Sequence, residues 1–445
     1  MNVKIDTGTP PPDKEKMAYE AQAYEINNKQ ITFRNGKVNQ YYEIDFDVEN
    51  LNIPEIAEVY FEGLEAIGLQ YIPEEKMIKG TPTQAGDHNI VMKFKRTDWT
   101  EVKPILTRSV TFIINPDPKS LWKNIPSEQD EKLMEYPKPD SAKDFVKVKA
   151  KKTKGRPAST VPRGKTIARK DMVAASQRGR SHALDGSPRD DDFALFFDKK
   201  TECYIMAVAD GAGSAKYSRK GSQIACQTVL EVCKEKLTVH QDAFIKYPEE
   251  PDKKEIAKVL QDILSNAVFK AYKAIESEAQ QKGCPIKNFA TTLIVSICKK
   301  FNYGWFIGAW WVGDGGIGVY RNDPAYLKVL GEPDGGEFAG QTRFLTMTEI
   351  ISNELYKRIK FDIVDDFTAL ILMTDGVTDP KFETDANLNR IEKWNDLWED
   401  LQGKNEDGFC VDFIDDNEQA AGQLLKWLDF WSRGNHDDRT IAILY

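Results

Sequence analysis

Acidic residues recur at the edges of strand-like runs, and this recurrence limits the possible folds more than any other feature of the chain. Asp210 closes the apolar run Cys203 to Ala209 and precedes the glycine-rich turn Gly211 to Gly213, after which a helix is expected from near Ser218. Asp191 in RDDDFAL, Asp314 in WWVGDGGIGVY, Asp375 in ALILMTDGVTD and Asp437 in GNHDDRTIAIL repeat the arrangement. One Asp-Gly pair is an ordinary turn. Several carboxylates at converging strand ends are costly to leave unpaired, and a shared cation is their natural partner.

At 445 residues the chain exceeds one ordinary domain, so two or three are expected. No apolar run is long enough to span a bilayer, and MNVKIDTGTPPPDKEKM lacks an apolar signal core, so a cytoplasmic protein without a membrane partner is expected. The net charge of -9 argues against nucleic acid as the main partner. Six cysteines form no CxxC pair and sit mostly in apolar stretches, which reads as reduced and buried.

In chain order, the first part reads as all β. Tyr42, Ile44, Phe46 and Val48 alternate with acidic residues, and Ile90, Met92 and Phe94, then Val110, Phe112 and Ile114, repeat the period. Asn35-Gly36 reads as a hairpin-type turn. Residues 20–116 are therefore expected to form a small β-sandwich. Residues 117–170 read as a Pro-containing linker. Its stretch Lys147 to Lys170 carries ten basic residues and no acidic one, a flexible spacer or a tether for an acidic partner. Thr153, Ser159, Thr160 and Thr166 make it a candidate for phosphorylation.

From residue 171 to 445 the pattern becomes α+β. Strand-like runs cover 192–197, 203–209, 291–299, 305–312, 316–320, 369–374 and 439–444. Two long helices follow the stripes Cys226, Leu230, Cys233, Leu237 and Ile256, Leu260, Ile263, Ala267, Ala271, Ala274. Further helices are expected at 388–401 and 418–431. Short turns between neighbouring strands imply antiparallel pairing, and two sheets covered by helices fit better than a Rossmann alternation.

Oxygen ligands spread over several strands suit Mg²⁺ or Mn²⁺, and two such ions can activate a water for in-line attack at phosphorus. The four histidines are too few for most histidine-rich binuclear hydrolases. There is no Walker loop, serine nucleophile elbow or thiol-phosphatase loop.

The pieces GRSHALDGSPRDDDFAL, AVADGAGSAKYSRKGSQIA, FATTLIVSI, VGDGGIGVY, GEFAGQTRFLT, ILMTDGVTD and NHDDRTIAIL, in this order, resemble the metal-dependent protein serine/threonine phosphatases of type 2C, bacterial branch. Separately, Gly80 to Thr83 with Gly86 resembles the mark of immunoglobulin-like repeats, which implies an immunoglobulin-like sandwich for residues 20–116. The phosphatase resemblance implies a four-layer α-β-β-α sandwich of two antiparallel sheets. It further implies hydrolysis of phosphoserine and phosphothreonine in proteins by water activated at two Mn²⁺ or Mg²⁺ ions, with a third, weaker ion, and a cognate kinase as partner.

Carried over by resemblance, Asp210 bridges the metals with the Gly211 carbonyl beside it. Asp191, Asp375 and Asp437 complete the metal set, and Asp314 serves the third ion. Many relatives place a histidine two residues after the bridging aspartate, whereas this chain has Ala212. His182 is then a candidate acid, and Arg180, His182 and Arg189 compete for the position of the substrate-phosphate clamp. The region 332–358 is expected to be a substrate-shaping flap, mostly loop with some helix. A scaffold or sensor that keeps the fold but has lost catalysis is the alternative reading, and Ala212 leaves it open.

Overall fold

The computed structural model describes residues 14–98, 100, 105–127, 136, 143–150, 170–245, 252–334, 342–352, 354–415 and 417–445. The chain divides into two units, Met1–Trp122 and Lys123–Tyr445.

The first unit is β-rich. Its strands are β1 (Gly36–Lys37), β2 (Tyr42–Asp45), β3 (Ile56–Glu62), β4 (Leu69–Ile72), β5 (Met77–Gly80), β6 (Gly86–Arg96) and β7 (Leu106–Asn115). They form a four-stranded sheet in the order β1-β7-β6-β3 and a three-stranded sheet in the order β2-β5-β4. The period-2 pattern is the cause: in β6 and β7 alternate residues Ile90, Met92, Phe94, Val110, Phe112 and Ile114 turn inward. They share one core with Tyr42, Leu69 and Ile78 of the second sheet. Two expectations are corrected here. The unit is not all β, because Lys14–Asn28 is a helix whose Ile26 enters that core. Asn35-Gly36 is no hairpin turn either, since Gly36 starts β1 and pairs in parallel with Ile114.

The second unit is mixed α and β. Its strands are β8 (Lys143–Val148), β9 (Met172–Gln177), β10 (Asp192–Asp198), β11 (Cys203–Ala209), β12 (Leu293–Phe301), β13 (Gly304–Val312), β14 (Gly316–Arg321), β15 (Tyr326–Gly331), β16 (Ile359–Val364), β17 (Ala369–Met373) and β18 (Arg439–Leu444). A five-stranded sheet runs β10-β11-β12-β13-β16 and a six-stranded sheet β15-β14-β17-β18-β9-β8. Every pairing in both is antiparallel.

Three hydrophobic cores organise this unit. Met206 and Val208 of β11, Ile294 of β12 and Ile307 of β13 pack with Ile317, Leu370, Leu372 and Ala442 of the six-stranded sheet. Ile205 and Ala207, pointing the other way from β11, pack with Val229 and Cys233 of the helix Ser218–Val239 and with Ile263 and Ala267 of the helix Lys253–Lys282. Ile371, Ile441 and Ile443 pack with Trp394 and Leu397 of the helix Ile391–Leu401 and Leu424 of the helix Ala420–Leu428. Because both faces of β11 are covered, all seven of its residues are buried, each large aliphatic contributing about 1.5–3 kcal/mol. The long helix Lys253–Lys282 starts where the Asp252 carboxylate accepts the Lys254 N–H at 2.8 Å and stops at left-handed Gly283.

Strand β8 lies inside the segment expected to be linker, and its Lys147 side chain is buried against Asp171 at 3.1 Å. Lys149 likewise ion-pairs with Glu418. Thr153, Ser159, Thr160 and Thr166 lie outside the described residues. Of the region 332–358, residues 335–341 and 353 lie outside as well, and the rest contains the short helix Thr348–Ser352. Cys203, Cys226, Cys233 and Cys298 are buried thiols, whereas Cys410 is exposed. Among the described residues no helix is long and apolar enough to cross a membrane.

Candidate metal centre

Asp210 sits one residue beyond β11, and three hydrogen bonds fix the backbone there. Its N–H donates to Thr292 Oγ1 at 2.9 Å, while Thr292 N–H and Thr291 Oγ1 donate to its carbonyl at 2.8 Å. Gly211 bridges to Thr291. Only glycine fits at 211, because a Cβ would lie 2.7 Å from the Asp190 carbonyl and 2.8 Å from the Ser218 carbonyl carbon. Ala212 is buried with Ala215 and Ala290, against Phe344, and brings no titratable group to the turn.

Asp375 opens the helix Asp375–Phe382 directly after β17. Asp314 lies between β13 and β14, where Gly313 takes a positive φ. Its Oδ2 accepts the hydroxyl of Thr342. Oxygens of Asp210, Asp314 and Asp375 all lie within 4.8 Å of one another. Asp191, just before β10, is fully buried, and its charge acts on Asp210.

Burial and neighbouring charge raise the affinity of Asp191, Asp210 and Asp375 for protons. Burial, then the charges of Asp375, Asp191 and Asp437, push Asp210 well above the usual carboxylate range. Burial followed by Asp314, Asp437 and Asp191 does the same to Asp375. Burial and the charge of Asp438 raise Asp191 to about 7. Such a site favours positive charge. The donor set fits a hard divalent cation: Asp314 Oδ1 and Asp375 Oδ1 are both buried with no hydrogen-bond partner among the described residues.

A second group forms beside it. His182, Asp437 and Asp438 offer atoms within 4.8 Å of one another. Asp438 Oδ1 accepts from His182 Nδ1 at 3.0 Å and from the Gly179 amide at 2.6 Å, and its Oδ2 accepts the Asp190 N–H at 2.5 Å. Although burial lowers His182, the Asp438 charge and hydrogen bond outweigh it and lift the imidazole to about 10. Asp438 was not singled out from sequence, although the doubled acid in NHDDRT signals it. Asp437 is the most exposed of the set.

The two arginines are placed differently. Arg180 Nη2 donates to the Asp429 carbonyl at 2.9 Å and its carboxylate at 3.0 Å, with the guanidinium over Trp431. Arg189 has 0% exposed surface.

The family profile "Protein phosphatase 2C" matches residues 178–428. The catalytic domain of the serine/threonine protein phosphatase PstP, solved with two manganese ions, is similar at 17% identity and a TM-score of 0.37, over 61% of this chain and 96% of that one. The S. agalactiae serine/threonine phosphatase is similar at 14% identity and a TM-score of 0.37, over 62% and 99%. RsbX, solved with magnesium, is similar at 13% identity and a TM-score of 0.34, over 63% and 98%. No curated protein matches the chain. The family profile spans more than half of the sequence and includes Asp191, Asp210, Asp314 and Asp375, and the chain belongs to the protein phosphatase 2C family.

Proposed function

We propose that the chain hydrolyses phosphoserine and phosphothreonine in proteins, using two Mn²⁺ or Mg²⁺ ions held by Asp210, the Gly211 carbonyl, Asp375 and Asp437, with Asp191 supporting the set. Asp314 would take a third, weaker ion. The observation that carries this reading is the meeting of Asp210, Asp314 and Asp375 within 4.8 Å, with two of their oxygens buried and unpartnered among the described residues. When bound, the ions supply Lewis acidity that activates water and neutralises phosphoryl charge.

The chain's own residues hold and aim the reacting groups. The Thr291 and Thr292 bonds fix Asp210 at a strand end, so its carboxylate is in place before the ions arrive. His182, held by Asp438, is the proton donor we assign to the leaving serine or threonine oxygen, since position 212 is alanine. Arg180 remains the phosphate clamp in this reading, and it must exchange Asp429 for substrate to act.

The three cores support a four-layer α-β-β-α sandwich for the catalytic domain, which we take to follow an immunoglobulin-like module at 20–116 and a connecting segment at 117–170. A cognate kinase or its target is the substrate class we assign, in the cytoplasm. The test is hydrolysis of a phosphothreonine peptide by the full chain with Mn²⁺ or with a chelator. Metal-dependent turnover that falls at least about 10²-fold in Asp210→Asn, the scale of losing one preorganised charged group, supports the reading. Turnover that survives the chelator, or that Asp210→Asn leaves intact, refutes it.

A further inference from the structure

Asp191 is fully buried, and the hydroxyls of Thr374 and Thr440 bind the same one of its oxygens. Thr440 Oγ1 donates to Asp191 Oδ2 at 2.6 Å and Thr374 Oγ1 donates to it at 2.9 Å. Thr440 N–H donates in turn to Thr374 Oγ1 at 3.0 Å, and Thr374 N–H donates to the Thr440 carbonyl at 3.0 Å. Ser176 Oγ lies 2.5 Å from Thr440 Oγ1. A hydroxyl has one proton to give, and Thr440 gives its proton to the carboxylate. Ser176 must therefore be the donor in that last pair. The chain of donors has a single direction, from Ser176 through Thr440 to Asp191, with Thr374 joining at the same oxygen.

The location of these hydroxyls matters more than their number. Thr374 immediately precedes Asp375, and Thr440 follows Asp437 and Asp438 on β18. Ser176 is on β9, opposite Thr440 in the ladder. The two bonds to Asp191 Oδ2 thus join three strand ends, each carrying one member of the carboxylate set. The Asp191 charge also acts on the neighbouring Asp210 carboxyl. All three hydroxyl residues are 2% exposed or less, so no water competes for these bonds.

Building on the metal-dependent phosphatase reading, we propose that Thr374 and Thr440, oriented by Ser176, are positioning residues that lock Asp191 and so fix the spacing of the acid-bearing strand ends that take up the cations. They touch neither substrate nor reacting atoms. Outer-shell hydrogen bonds of this kind typically matter by about 10–100-fold in metal affinity or activity.

The test uses the full chain with Thr374→Val and Thr440→Val, which keep shape and remove the hydroxyl, and Thr374→Ser and Thr440→Ser, which keep it. Mn²⁺ affinity is read by calorimetry, thermal unfolding is read in chelator and in Mn²⁺, and kcat and KM are measured on a phosphothreonine peptide. The valine variants are expected to bind Mn²⁺ about 10-fold or more weakly and to lose kcat at nearly unchanged KM, with a smaller unfolding shift on adding Mn²⁺. The serine variants are expected to stay within about 3-fold of wild type, because the donor is restored. Folded valine variants with wild-type Mn²⁺ affinity would overturn the inference, as would serine variants impaired as much as valine, which would point to methyl packing. If Thr440→Val does not fold, Thr374→Val carries the same comparison. A wild type that binds no Mn²⁺ and turns over no peptide overturns the phosphatase reading and this inference with it.

Discussion

Replacing Lys147 with methionine should unfold the second unit far more readily than its place in a basic, linker-like stretch suggests. Its side chain is 4% exposed and that of Asp171 5%, with Nζ 3.1 Å from Asp171 Oδ2. The same ammonium donates to the Asp415 carbonyl at 3.1 Å and the Asn417 carbonyl at 3.0 Å, and lies over the Tyr445 ring. Methionine fills the space and removes every one of these bonds, leaving Asp171 with the Ala150 amide at 3.2 Å. Losing one partner of a buried pair costs about 3–5 kcal/mol, which for a unit of this size lowers Tm by roughly 4–7 °C. The assay is thermal unfolding of Lys147→Met and of Lys147→Met/Asp171→Leu, followed by circular dichroism. The double variant should recover most of the loss, since an apolar pair strands no charge. A single variant melting within about 2 °C of wild type, or a double variant no better than the single, would refute the reasoning.

Three further outcomes follow from the site. Asp191, raised to about 7 mainly by burial, must give up its proton when cations bind, so Mn²⁺ affinity should rise from pH 6 to pH 8 with proton release visible in buffers of different ionisation heat; a flat profile contradicts this. Folding lifts His182 from 6.5 to about 10, so in chelator its contribution to stability is complete below pH 6.5 and is lost as pH rises through 10. Urea unfolding of His182→Gln should therefore fall short of wild type at pH 6 and converge with it near pH 10, and a constant gap would exclude the pair. Gly211→Ala forces a Cβ between the Asp190 carbonyl and Ser218, at about 1–3 kcal/mol, and unchanged stability and metal affinity would show that the turn gives way.

The fold of the second unit was readable where the period was strong and both ends were punctuated. Strand 203–209 and strand 439–444 were expected at the bounds observed, because Cys203–Ala209 is an unbroken apolar run ending at Asp210, and Ile441–Leu444 is an apolar run that follows the charged Asp437 to Arg439. Strand β8 was not, because KDFVKV reads as basic linker, and only its partner Asp171, distant in the chain, turns Lys147 into an interior residue. The N-terminal helix was missed for a related reason. Its inward stripe is narrow and includes the polar Gln22, which bonds the Pro54 carbonyl at 2.6 Å. Motif order singled out the aspartates that meet at the centre, since each ends a strand beside glycine or a second acid. It could not show that Arg189 is interior, that His182 pairs with Asp438 across 256 residues, or that Thr374 and Thr440 share one oxygen of Asp191. Those facts depend on which strand ends converge, and convergence is a property of the folded sheets.

The most direct test of the central claim is the anomalous scattering of manganese in crystals of the full chain grown with Mn²⁺. The expected result is manganese density in the space bounded by Asp210, Asp314 and Asp375, the trio whose oxygens lie within 4.8 Å of one another, and its disappearance in Asp210→Asn. Density only at His182, Asp437 and Asp438, or none at millimolar Mn²⁺, would contradict a phosphatase centre built on Asp210.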